Sequence, residues 1–223
     1  MKRYAIDPKK VKALLFDWDE TLVETEFYQY RAYVQAFKKY GIKYPSFKDH
    51  CIVYSGNPTK VIFSKVVKNS NKQILLEKFA LERRKIYYAE IKKGVKSKQG
   101  ALKLISEAKK TIIKLGIVTG NASDMLHRVL NLSDLPDVFD IKITVENYKK
   151  NKPDPEPFLI AAKKLRVKPS ECVVFGDAIN DIKAARSAKM DYFVIQSITP
   201  AELFYKLDKN AKIIRDFTQV KLV

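Results

Sequence analysis

Hydrophobic and polar positions change period along this chain. Val11 to Phe16 is a short apolar run that stops abruptly at Asp17-Trp18-Asp19-Glu20. Such a run reads as a buried strand with acids at its C-terminal end. From Phe27 the spacing becomes helical, through Tyr30, Val34, Phe37 and Tyr40, and Gly41 stops it. Asn57-Pro58 has the form of an N-cap and a proline at the first helical position, with Val61, Ile62 and Val66 behind it. A third helical stretch runs from about Asn71 to Lys92, with Leu75, Phe79, Ile86 and Tyr87 as its apolar positions. Residues 27 to 97 thus carry helical spacing and no strand signal.

Beyond that block the chain alternates. Helix is predicted over Ala101–Lys110, strand over Lys114–Val118 up to Thr119-Gly120-Asn121, helix over Asp124–Leu130 and strand over Asp140–Val145. Asp154-Pro155 predicts an N-cap and proline start for a helix to about Leu165. Strand follows over Cys172–Phe175, ending at Gly176-Asp177, then helix from about Asn180 to Ala188 and strand over Tyr192–Ile195. Strands alternating with helices imply an α/β fold, a Rossmann-like parallel sheet with helices on both faces. The expected organisation is a sheet domain from residues 1–26 and 98–223, interrupted by an all-helical insertion over 27–97.

Composition narrows the class. Of 223 residues, 46% are apolar and 30% charged, enough apolar material for a core rather than a disordered chain. Cys51 and Cys172 lie far apart without partner histidines, which excludes a disulfide framework and a cysteine-rich zinc site. No run approaches the roughly 18 apolar residues of a membrane span, and Met1 to Lys12 lacks an apolar signal core. A soluble cytoplasmic protein is the default expectation.

Lys and Arg number 43 against 25 Asp and Glu, a formal charge of +18. Pairs such as Lys92-Lys93, Lys109-Lys110 and Lys149-Lys150 recur, without a run of five or six or any interleaving with aromatics. The charge reads first as solvated helix faces, then as steering of an anionic metabolite. Nucleic acid is the least supported partner, and a membrane is not expected.

The acids lie where chemistry is expected. Open parallel sheets bind ligands beyond the carboxyl ends of their strands, and those ends carry Asp17/Asp19, Thr119/Asn121 and Asp177/Asp181. On extended backbone, residues i and i+2 face the same way about 6.6 Å apart, so Asp17 and Asp19 can address one substrate. One can attack while the other donates and takes a proton. Magnesium takes one or two carboxylates with phosphate and water, which suits Asp17 and Asp177. Thr119 and Asn121 offer neutral donors to phosphate oxygens, and Lys152, before Pro153-Asp154-Pro155, offers a fixed positive charge.

Taken together these segments resemble the haloacid dehalogenase superfamily. Phe-Asp17-Trp-Asp19-Glu-Thr21-Leu22 resembles its first motif and Ile-Val-Thr119-Gly-Asn its second. Lys152-Pro-Asp-Pro-Glu-Pro resembles the third, and Phe-Gly-Asp177-Ala-Ile-Asn-Asp181 the fourth. The helical insert matches the family's helical cap, and Lys85 to Val95 resembles the caps of the phosphoglycolate phosphatase and β-phosphoglucomutase branch. The resemblance implies a magnesium-dependent phosphatase acting on a small phosphorylated metabolite through an aspartyl-phosphate. In it Asp17 is the nucleophile and Asp19 the acid and base, its backbone carbonyl also binding magnesium. Thr119 and Lys152 hold the phosphoryl group, and Asp17 and Asp177 are further metal ligands. Asp181 orients the metal's waters or Lys152, and Asn121 lines the phosphate site.

The chain departs from the family pattern in two places. Glu20 stands where a glycine is usual, and Ala178 where a serine is usual. The presence of Asp19 argues for phosphoryl transfer over dehalogenation. A mutase is the alternative, but Gln29 stands near the position of the mutase histidine, and Thr59 with Lys60 stands where an arginine would grip a far phosphate. Thr59 and Lys60 are therefore the candidate substrate contacts of the insertion. A binding protein on a retained fold is the reading from another class; the complete set of motif acids and Lys152 stands against it. His50 and His127 are isolated and read as surface or boundary residues. Trp18 points away from the acids into packing, Tyr28, Tyr30, Tyr33, Tyr87 and Tyr88 read as helix packing, and Cys172 as core.

Overall fold

The computed structural model describes residues 3–54, 57, 59–68 and 75–223. Pro58, with the helix start expected there, and residues 71–74 of the third expected helix lie outside the described residues. The chain divides into two compact units, Met1–Glu24 with Lys96–Val223, and Thr25–Val95. Each boundary falls two residues before the one expected at 26 and 97.

In the first unit β1 (Tyr4–Ile6) pairs in parallel with β8 (Val220–Leu222) as a sheet of its own. The main sheet contains β2 (Ala13–Phe16), β3 (Lys114–Val118), β4 (Ile141–Ile143), β5 (Cys172–Gly176), β6 (Asp191–Ile195) and β7 (Ile213–Ile214). It is parallel throughout, in the order β4-β3-β2-β5-β6-β7. β2 is fully buried, as its unbroken apolar run requires of a central parallel strand.

The second unit is helical. It contains α1 (Glu26–Lys39), α2 (Phe47–Asp49), a π-helical turn His50–Tyr54, α3 (Thr59–Val67) and α4 (Leu76–Ile91). α1 ends before Gly41, which takes a φ of 63°. α1 buries Ala32, Tyr33, Ala36 and Phe37, and α4 buries Phe79, Arg83, Tyr87 and Ile91 at every fourth position. Phe37 and Phe79 meet with ring centroids 4.3 Å apart, and Tyr44, Ile62 and Phe63 complete the core. Tyr33 and Tyr87 are buried, as expected of packing tyrosines.

His50 is a correction. It is 1% exposed rather than a surface or boundary residue. Its Nδ1 lies 2.8 Å from the Tyr44 hydroxyl and its Nε2 2.7 Å from Glu26 Oε1. The ring also lies 5.5 Å from Tyr30 and 5.7 Å from Tyr33. Aromatic walls and two polar partners let an imidazole sit inside a core, and only the fold brings residues 26, 44 and 50 together. His127 is exposed, as expected.

The sheet is flanked by α5 (Ala101–Ala108), α6 (Ser123–Leu132), α7 (Glu156–Leu165), α8 (Ile179–Ser187) and α9 (Ala201–Leu207). α7 starts one residue later than expected. Pro155 occupies the N-cap position, and the Glu156 amide donates to Asp154 Oδ1 at 2.9 Å. Alternate residues of each strand face opposite sides of the sheet. Ala13, Leu15, Val174 and Cys172 pack with Phe158, Ala162 and Leu165 of α7 and with Ile182 and Ala185 of α8. On the other face Phe16, Phe175 and Phe193 lie in register across β2, β5 and β6. Their rings stack at 5.1 and 5.2 Å, and Phe217 closes over them. Trp18 is fully buried. Among the described residues, no helix is long and apolar enough to cross a membrane.

Candidate active site

The ends of β2, β3 and β5 stand side by side because Phe16 pairs with both Ile117 and Phe175. The chain therefore emits Asp17, Thr119 and Asp177 from three adjacent strands. The Asp17 amide donates to the Phe175 carbonyl at 2.9 Å, extending the pairing one residue past the strand.

Lys152 joins this cluster from the loop before α7. Its side chain is 7% exposed. The ammonium donates to Asp17 Oδ1 at 2.7 Å and to the Val118 carbonyl at 2.7 Å, and lies 2.8 Å from Asp181 Oδ1. Burial disfavours its charge, but Asp17 and Asp181 outweigh burial and raise its pKa above the ordinary lysine value.

Asp181 stands on the first turn of α8, where its Oδ2 also accepts from the Ala178 amide at 3.0 Å. It fits because residue 176 is glycine: a Cβ there would lie 2.5 Å from the Asp181 Cβ. Asp177 accepts from the hydroxyls of Thr21 at 3.0 Å and Ser197 at 2.8 Å. Thr21 was visible in the first motif without a role. Ser197 follows the end of β6 and carried no signal beyond that position.

Asp19 is held differently. Its Oδ2 accepts from Asn121 Nδ2 at 2.6 Å, and the Asn121 amide donates to Thr119 Oγ1 at 3.1 Å. Thr119 is 1% exposed, and its carbonyl accepts from the Tyr148 hydroxyl at 3.1 Å. Glu20 takes a φ of 56°, the left-handed conformation that glycine adopts without a Cβ clash. Thr59 and Lys60 open α3 in the helical unit. The Thr59 hydroxyl lies 3.0 Å from that of Tyr33, and Lys60 is exposed. Gln29 accepts a hydrogen bond from Arg83 Nη2.

Carboxylate oxygens of Asp17, Asp177 and Asp181 lie within 4.8 Å of one another. Burial pushes the Asp17 carboxyl up to about 7, with Asp181 and Asp19 adding to the rise and Lys152 opposing it. Burial likewise pushes Asp177 well above the usual carboxylate range, with Asp17 and Asp181 adding to it. Three crowded carboxylates, two of them on one ammonium, form a hard, all-oxygen donor set with excess negative charge, and this set fits a divalent cation such as magnesium. Asp181, expected only in support, is one of the three.

A Rossmann-like parallel sheet with an inserted helical unit and acids at its strand ends defines the class of haloacid dehalogenase-type hydrolases. The family described as Haloacid dehalogenase-like hydrolase matches residues 14–195, and the chain belongs to it. The chain is similar to the pyrophosphatase PpaX of Bacillus velezensis, 29% identical over 181 residues, covering 81% of each protein. It is also similar to the fructose-1-phosphate phosphatase YqaB of Escherichia coli, 29% identical over 185 residues, 82% of this chain and 95% of that one. Among solved structures, a HAD hydrolase of family IA, variant 3, from Entamoeba histolytica shares the fold. Its TM-score is 0.82 at 24% identity, over 95% of this chain and 96% of that one. The chain is an enzyme of the phosphatase kind within this family.

Proposed function

We propose that the chain hydrolyses a small phosphate monoester through a phosphorylated Asp17. The observation that carries this reading is the arrangement at Asp17: Lys152 at 2.7 Å, Asp177 and Asp181 within 4.8 Å, and Asp19 two residues away, tied to Asn121.

In the first half-reaction an Asp17 carboxylate oxygen attacks phosphorus and the bond to the leaving oxygen breaks. Asp19 gives that oxygen a proton. In the second, Asp19 takes a proton from water, the water oxygen attacks phosphorus, and the bond to Asp17 breaks to release inorganic phosphate. Lys152 and the Thr119 hydroxyl stabilise charge on the phosphoryl oxygens. Asp17, Asp177 and the Asp19 backbone carbonyl would hold magnesium, with Asp181 beside them. When bound, the ion neutralises the carboxylates and the phosphate that must approach them. Asn121 holds the Asp19 carboxylate in a fixed direction before substrate arrives. In the helical unit, Thr59 and Lys60 are our candidates for selecting the leaving group.

The test is phosphate release from a panel of phosphorylated metabolites, with and without magnesium, by wild type and Asp17→Asn. Magnesium-dependent release that vanishes in the variant supports the reading. Release that survives in Asp17→Asn, or none from wild type over a broad panel, sinks it.

A further inference from the structure

The turn that carries Asp19 is held by a charged pair that the proposed reaction does not use. Glu20 directly follows Asp19 in the left-handed region, which a side chain occupies only where its surroundings hold it there. The chain doubles back around it. The amides of Leu22 and Val23 donate to the Trp18 carbonyl at 2.9 and 3.2 Å, and the Glu20 amide donates to the Val23 carbonyl at 2.8 Å. The loop is tied to the returning segment. The Glu24 amide donates to the Lys96 carbonyl at 2.9 Å, and the Lys98 amide to the Leu22 carbonyl at 2.8 Å. Ser97, between them, is anchored by its amide and hydroxyl to Asp134 at 2.9 and 3.1 Å.

Lys98 adds a side-chain bond to this backbone frame. Its ammonium lies 3.0 Å from Glu20 Oε2 and 3.9 Å from Glu24 Oε1. The Glu20 and Lys98 side chains are only 12% and 13% exposed, whereas Glu24 is open at 55%. The Lys98–Glu20 pair is thus largely shielded from water, where losing one partner strands the other's charge.

We infer that Lys98 is a positioning residue for the proposed reaction. Its ammonium holds the Glu20 carboxylate and so fixes the left-handed turn next to Asp19. The kinetic half of this inference rests on the reaction proposed above; the structural half does not. Without Lys98, the Glu20 side chain gains most by swinging into water, and that motion pulls on the backbone of Asp19. Asp19 must meet Asn121 and the reacting oxygen together, so a small displacement costs rate more than affinity.

Lys98→Met, Glu20→Gly and the double variant test it. Lys98→Met is expected to lower kcat about tenfold or more with KM within about twofold. Glu20→Gly removes both the stranded charge and the need for a strained side chain, so it keeps kcat near wild type and restores most of it in the double variant. Amide hydrogen exchange over residues 20–24 supplies a readout without turnover. Exchange speeds up in Lys98→Met and recovers in the double variant. Unchanged exchange in Lys98→Met overturns the inference, as does a double variant no better than Lys98→Met by either measure. If wild type releases no phosphate, the proposed reaction falls, and the exchange comparison still decides whether Lys98 holds the turn.

Discussion

The two units of this chain bury charge in opposite ways. In the helical unit the buried Glu26 faces His50, and His50 meets Tyr44. Arg83 bonds Gln29 and lies 4.7 and 5.6 Å from the ring centroids of Tyr33 and Tyr87. In the sheet unit Asp17, Asp177 and Asp181 crowd together, one ammonium meets only Asp17 and Asp181, and burial raises the Asp17 and Asp177 carboxyls above their ordinary values. Polar groups that meet suitable partners can sit within a core. Accumulated like charges are costly in the empty protein and favourable only when a cation and a phosphoryl group arrive, which is why such a cluster marks a working site.

The comparison predicts where each substitution acts. The largest effect belongs to Asp17→Asn, which is expected to lower kcat by at least about 10³-fold while the folded state persists, as read by phosphate release beside circular dichroism. Phe79→Ala reverses that pattern. Removing a fully buried ring from the helical core should cost about 3–5 kcal/mol in denaturant unfolding. The magnesium response of the sheet unit should persist in this variant.

A smaller effect separates the units by ligand. Magnesium at a hundred times its dissociation constant should stabilise the wild type by about 2.7 kcal/mol. Asp177→Asn should lose most of that gain, and His50→Gln should keep it. Equal gains in wild type and Asp177→Asn would break the assignment of the acids to the cation.

The smallest effect tests a paired acid within the sheet unit itself. Burial tends to raise the pKa of Asp216, but hydrogen bonds from the Thr218 hydroxyl, Arg215 Nε and the Thr218 amide outweigh it and leave the carboxyl lowered. A lowered folded value means stability that is present above the unfolded pKa and lost as pH falls through the folded one. Asp216→Asn should therefore cost about 1–2 kcal/mol at neutral pH. The gap to wild type should close below about pH 4. A gap that widened in acid would place Asp216 with the crowded acids instead.

The strand ends were readable because a buried parallel strand is an unbroken apolar run, and the acids interrupt it. Lys114–Val118 has the same limits in the sequence reading and in the fold. β1, β8 and β7 were not readable: at two or three residues they are too short to show a period, and only distant partners make them strands. At the site, the residue types and their order were legible, but their pairings were not. The resemblance offered Lys152 as one of two partners for Asp181, but nothing in the sequence says that Lys152 bridges Asp181 to Asp17, that Asn121 holds Asp19, or that Thr21 and Ser197 bond Asp177. His50 was misjudged for a related reason: its partners Glu26 and Tyr44 lie on other elements, and an isolated histidine has no pattern to reveal them. Glu20 was legible as an exception, and its partner Lys98 only in three dimensions.

The placement of β2 has a consequence for the life of the chain before it works. Ala13 pairs with Lys114 on one side and with Cys172 on the other. The strand that carries Asp17 is made early and completed late, because contacts between distant segments form slowly and only once both are available. The helical unit, one continuous stretch from Thr25 to Val95, needs no such wait. During synthesis it emerges whole while β2 is still without partners. Lys152 is then made before Asp177 and Asp181, so the cation that must sit among these acids is present before the last of them arrives.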